Sequence, residues 1–86
     1  MSSITNIKQQ VTQIGNQATQ TAGQLSQLAS NLEKNVAAVN SAIGGTASGE
    51  DKEMINSFLQ ASKAVKDASA ALQAASATAE EWVAKA

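Results

Sequence analysis

The chain is expected to be all-α, an antiparallel two-helix hairpin that pairs into a four-helix bundle. Three observations predict it. Apolar residues recur at alternating steps of three and four through both halves. Proline is absent. The strongest cluster of helix breakers, Gly44-Gly45-Thr46-Ala47-Ser48-Gly49, divides the 86 residues almost in half.

The first predicted helix covers 3–43. Its stripe runs Ile4, Ile7, Val11, Ile14, Ala18, Leu25, Leu28, Leu32 and Val39, with Thr21 and Asn35 in the two remaining stripe positions. That is a heptad seam of about five repeats. From Leu32 onward Val36 and Ile43 join it, so the stripe widens as an unstrained helix drifts against a seven-residue repeat. Asn35 in a stripe position either fixes register or oligomer state at some cost in stability, or is tolerated because Val36 beside it can take over the apolar contact. Ser2 or Ser3 can cap the start, and Gly44 suits the left-handed position after the last turn. The internal Gly15 and Gly23 each cost up to ~1 kcal/mol relative to alanine, or else permit close approach of another backbone.

The predicted turn is 44–49, and the second helix covers 50–86. Ser48 precedes Asp51 in a capping-box register, and Glu50, Asp51 and Glu53 fall in a first turn, where the helix dipole favours acids. Its stripe is Met54, Phe58, Ala61, Val65, Ala68, Leu72, Ala75, Ala79, Trp82 and Ala86, broadened at the ends by Ile55 and Val83. Helices of roughly 40 and 36 residues would measure about 60 and 54 Å. The short connection makes them antiparallel neighbours, with Trp82 beside Ile4 and Ile7 and Phe58 beside Leu32 and Val36.

Composition narrows function. His, Cys, Tyr and Arg are all absent, so the usual general base, thiol nucleophile, soft metal ligand and bidentate phosphate clamp are missing. No enzyme activity, cofactor or metal is expected. Six lysines, a net charge of −1 and two aromatic residues supply neither the basic patch nor the stacking surface of a nucleic-acid binder. The longest apolar run, Val36-Ala37-Ala38-Val39, is too short for a signal-peptide core or a membrane span. The polar faces are rich in glutamine rather than lysine, against a membrane-surface role.

A partner protein is expected on energetic grounds, since a lone hairpin of this length has too little core. Either a homodimer or a heterodimer with another helical protein or effector domain satisfies that need. The expected interface comprises Leu25, Leu28, Leu32, Val39, Phe58, Val65 and Leu72. Glu80, Glu81 and Trp82 form a separate expected docking feature near the C-terminus. Acids are disfavoured in a last turn and tryptophan commonly anchors interfaces.

Two long helices in under a hundred residues, turning at a glycine, resemble the small Trp-x-Gly (Esx-like) proteins of bacterial type VII secretion. Ala42-Ile43-Gly44 stands where that family has Trp-x-Gly, and Trp82 is followed four positions later by Ala86 rather than by the acid of a Tyr-x-x-x-Asp/Glu export signal. Those departures point to the divergent small partners of larger effectors such as the Leu-x-Gly toxins. The resemblance implies a dimeric four-helix assembly acting as secretion substrate, chaperone or targeting partner, cytoplasmic before export and released without a cleaved signal. The competing expectation is a structural coiled-coil component of a cell-surface or phage assembly.

The isolated chain is therefore predicted to be strongly helical yet either self-associated or unstable. Circular dichroism across a concentration series checks this, and a sharp, monomeric, concentration-independent melt would refute it.

Overall fold

A computed structural model describes residues 3–43 and 49–86. It contains two helices, α1 (Ser3–Ile43) and α2 (Gly49–Lys85), packed against each other along their length, with no strand among the described residues. The Cα envelope measures 68 × 15 × 14 Å. The helix bounds agree with the expected 3–43 and 50–86 to within a residue. Ser2, Gly44 and Ser48, named above as capping residues, lie outside the described residues. Glu50 and Asp51 do occupy the first turn of α2, and Lys85 its last.

The packed seam is not the seam of large aliphatic residues. Both helices carry a central column that sequence and structure share: Val11, Ala18, Leu25, Leu32 and Val39 in α1, and Phe58, Val65, Leu72 and Ala79 in α2. These are half-buried, except Phe58, which is exposed. The second column of the expected stripe lies three residues after the central one. The column that packs lies four residues after it. In α1 it is Gly15, Ala22, Ala29 and Val36, all buried. In α2 it is Ser62, Ser69 and Ser76, all buried, with the half-buried Ile55 and Val83 at its ends.

The reason is close approach. Gly15, Ala22 and Ala29 hold no bulk between the helices, so each meets a small serine from the opposite chain direction. Ser69 Oγ donates to Ala22 O at 2.8 Å, Ser76 Oγ to Gly15 O at 3.0 Å and Ser62 Oγ to Ala29 O at 3.5 Å. Extending the same seven-residue steps sets Ile55 opposite Val36 and Val83 opposite Lys8. Trp82 is thereby level with Gln9, within a turn of Ile7, and Phe58 is level with Glu33, within a turn of Leu32 and Val36.

The expected stripe residues Ile14, Thr21, Leu28, Asn35, Met54, Ala61, Ala68, Ala75 and Trp82 are exposed. This corrects the expected seam by one column on each helix. Asn35 sits outside the packed seam, with Val36 buried in its stead. The helix continues unbroken through both internal glycines. A Cβ on Gly15 would meet Ala79 Cβ at 3.6 Å, ordinary contact, and one on Gly23 would meet nothing within 4 Å.

Gly23→Ala should raise stability by up to ~1 kcal/mol, because helix propensity improves and nothing obstructs the methyl group. Ala22→Leu, one position away, should cost about 1–3 kcal/mol by forcing the helices apart. Urea titrations followed by circular dichroism check both signs.

Candidate interaction surface

The columns flanking the seam decide what each side of the hairpin offers. On one side lie the residues that follow the central columns: Thr19, Ser26 and Glu33 from α1, Lys66 and Glu80 from α2. That they share a side is seen directly. Ser26 and Ser69 hydroxyls lie 2.8 Å apart, Thr19 and Ser76 hydroxyls 2.8 Å apart, and Glu33 pairs with Lys66.

Proton counting orders this polar side. If Ser69 spends its hydroxyl proton on Ala22 O, Ser26 must be the donor in the Ser26–Ser69 pair. Around Gly15 O the two protons of Thr19 and Ser76 serve three contacts, since Thr19 Oγ1 also lies 3.1 Å from that carbonyl. Among the described residues no buried side-chain nitrogen or oxygen lacks a partner. Ser62 reaches Glu33 Oε1 at 3.3 Å as well as the Ala29 carbonyl. A second pair, Lys63–Asp67, is an exposed one-turn pair at 2.9 Å.

The other side carries the outer columns that the seam left out. Rotation about two antiparallel right-handed helices puts both on the same face, opposite the Glu33–Lys66 side. From α1 come Ile7, Ile14, Thr21, Leu28 and Asn35, and from α2 come Met54, Ala61, Ala68, Ala75 and Trp82. Ile14 is 62% exposed, Leu28 45% and Trp82 42%. Beyond them lie Gln17, Gln24 and Asn31 on α1 and Ala64, Ala71 and Thr78 on α2. Charge enters these columns solely at the ends of α2, as Glu50 and Lys85. The result is an uncharged, largely apolar face running the length of the rod.

The expected interface residues divide accordingly. Leu25, Leu32, Val39, Val65 and Leu72 lie half-buried in the seam of the hairpin itself. Leu28 stands on the apolar face, and Phe58 is 40% exposed at the Gly49 end of α2. Glu80, Glu81 and Trp82 leave α2 in directions about 100° apart, as consecutive helical residues must. Trp82 belongs to the apolar face. Glu80 lines a cleft of about 190 Å³ on the opposite side, formed with Val11, Gly15, Ala79, Val83 and Ala84. The structure does not gather the three into one patch.

Sequence reasoning overlooked Ser62, Ser69 and Ser76 as core positions. Their own signal was present: serines seven apart in α2 opposite glycine and alanine seven apart in α1. No group of three or more acidic residues among those described could hold a metal ion, and no described helix is long and apolar enough to cross a membrane.

The Glu33 carboxyl is held below the usual carboxylate range by the hydrogen bond and charge of Lys66, assisted by Ser62 against partial desolvation. Its folded pKa lies below the unfolded one, so the stability it contributes is present above the unfolded value and lost as pH falls through the folded one. The urea midpoint of Glu33→Gln should therefore lie below that of the parent near neutral pH, and the gap should close as the solution is acidified. Because both groups are solvent-exposed the gap will be small.

Comparison of the chain with known protein families, with curated proteins and with solved structures gave no match.

Proposed function

We propose that this chain is a non-enzymatic docking module that packs its uncharged face against another helical protein chain. In this reading it serves a type VII-like secretion route as substrate or as chaperone and targeting partner of a larger effector. One observation carries the docking reading. Among the described residues the hairpin fully buries no large side chain, yet Ile7, Ile14, Leu28, Met54 and Trp82 remain exposed on one face. A helix apolar on two sides is buried on two sides in a finished bundle.

The secretion reading is supported by architecture: two long helices of nearly equal length joined by a short glycine-containing segment. The absence of His, Cys, Tyr and Arg supports a role without catalysis. Lack of charge along the face means that shape rather than ion pairing selects what docks there.

Two measurements test this. A tagged chain expressed in a bacterium with a type VII apparatus should reach the medium, and inactivating the secretion ATPase should stop it. Equal release from both strains removes the secretion reading. Trp82→Ala should weaken capture of the partner by about 2 kcal/mol with helicity unchanged, as befits an aromatic interface residue. Glu80→Gln and Glu81→Gln, which point elsewhere, should have little effect on that contact. Unaltered binding by Trp82→Ala would remove Trp82 from the interface.

A further inference from the structure

We infer that the hairpin has a second packed state, reached by turning α1 and α2 in opposite senses by about 50° each, in which it buries its own uncharged face. The inference rests on the reading of that face as a docking surface and adds its regulation. A partner docks on the seam described above, and the turned state withholds the face from it.

Register is the first argument. Counting between the serine contacts, the central columns of the observed seam set Val11 with Ala79, Ala18 with Leu72, Leu25 with Val65 and Leu32 with Phe58. These layers alternate with the small ones at Gly15, Ala22 and Ala29. Turned toward the outer columns, the helices keep every central layer and replace the small ones. Ile14 then meets Ala75, Thr21 meets Ala68 and Leu28 meets Ala61, with Ile7 against Trp82 and Asn35 against Met54 at the ends. Because the central layers stay in register, the change is a rotation with no slide along the rod. Residues adjacent in sequence stand about 100° apart on a helix, so moving the seam from one flanking column to the other takes half of that.

The balance of interactions is the second argument. The observed seam has three serine–carbonyl hydrogen bonds and the Glu33–Lys66 pair on its flank, and it leaves Ile14, Leu28 and Trp82 exposed. The turned seam reverses this. It covers those side chains and returns the serine hydroxyls to water, where they remain hydrogen-bonded. A net hydrogen bond and the further covering of a half-exposed aliphatic side chain are of comparable worth, so two packings of one sequence lie close in free energy.

Each seam also has weak layers. In the turned one Thr21 and Asn35 are polar, and Ile7 against Trp82 is large against large at the unconnected end of the rod, where the helices are free to part. In the observed one the same end sets Lys8 against Val83. After turning, the former docking side presents Gln17, Gln24 and Asn31 with Ala64, Ala71 and Thr78, which offer no large apolar side chain. A partner that covers Ile14 and Leu28 binds the observed seam alone and shifts the population toward it.

Intramolecular disulfide formation in a glutathione buffer tests the proposal, read at single-chain mass to set it apart from cross-links between copies. The chain has no cysteine, so introduced pairs report unambiguously. Leu28→Cys with Ala61→Cys reports the turned seam. Thr12→Cys with Glu80→Cys, whose native side chains line the cleft on the opposite flank, reports the observed one. Turning brings the first pair together and carries the second apart.

Two backgrounds favour turning: Ala22→Leu, whose bulk excludes the close seam, and Ser62→Ala, Ser69→Ala and Ser76→Ala combined, which remove its hydrogen bonds. In each, the disulfide between positions 28 and 61 should rise at least about five-fold, the equivalent of one net hydrogen bond, while that between 12 and 80 falls and helicity is unchanged. Should Ala22→Leu lose helicity, the serine variant decides alone. Any other pattern overturns the second state: both pairs moving together reports only looser helices, and no response reports a single seam. That failure leaves the docking reading standing, whereas unaltered capture by Trp82→Ala removes Trp82 from the docking surface and leaves the two seams.

Discussion

The structure depends on the close approach of α1 and α2 across a column of small residues. Three serine hydroxyls reach carbonyls of the facing helix at Gly15, Ala22 and Ala29. Each carbonyl has two lone pairs, so it can accept the serine and still keep its own helical bond. A buried hydroxyl without such a partner would cost about 1–3 kcal/mol, so the serines stabilise the pair only at this separation. They also resist slippage. A shift of one heptad would bring Ser76 opposite Lys8 and set Ile55 against Ala29, besides separating Glu33 from Lys66.

That single constraint explains which part of the fold was legible beforehand. Helix number, length, direction and connection follow from apolar spacing, the glycine cluster and the absence of proline, and all are local or nearly local properties. The seam was half legible. Each helix offers three neighbouring columns, and any adjacent two make a heptad seam. Reasoning from buried apolar area favours the pair with Ile14 and Leu28, since gain scales with area removed from water. The observed pair trades that area for backbone proximity and hydrogen bonds. An area argument made one helix at a time cannot see this, because the advantage appears only when Ser69 and Ala22 are considered together.

The same trade produces the candidate site. Leu25 and Leu32 stay in the seam because they occupy the central columns common to both pairings. Leu28 and Trp82, on the outer columns, are released to one face. The interface set read from sequence therefore mixes two layers, one closing the hairpin and one facing outward. The C-terminal trio is divided for a simpler reason. Adjacency in sequence is not adjacency on a helix, so Glu80 and Trp82 look to opposite sides of the rod. The polar side, with its Glu33–Lys66 pair and hydroxyl contacts, closes that flank and leaves the opposite one unoccupied.

A hairpin built this way gains little from its own interior. Ala22 and Ala29 remove few apolar atoms from water, and the buried valine, Val36, is a single side chain. Helix propensity from the many alanines of α2 offsets part of the ordering entropy, but helices in folded proteins draw most of their stability from packing. The large residues that would supply it are the ones displaced to the outer face. On the proposed docking reading folding and association are coupled: a partner covering Ile7, Ile14 and Leu28 would contribute the core that the close seam gave up, and the stability of the chain would then depend on that partner's concentration.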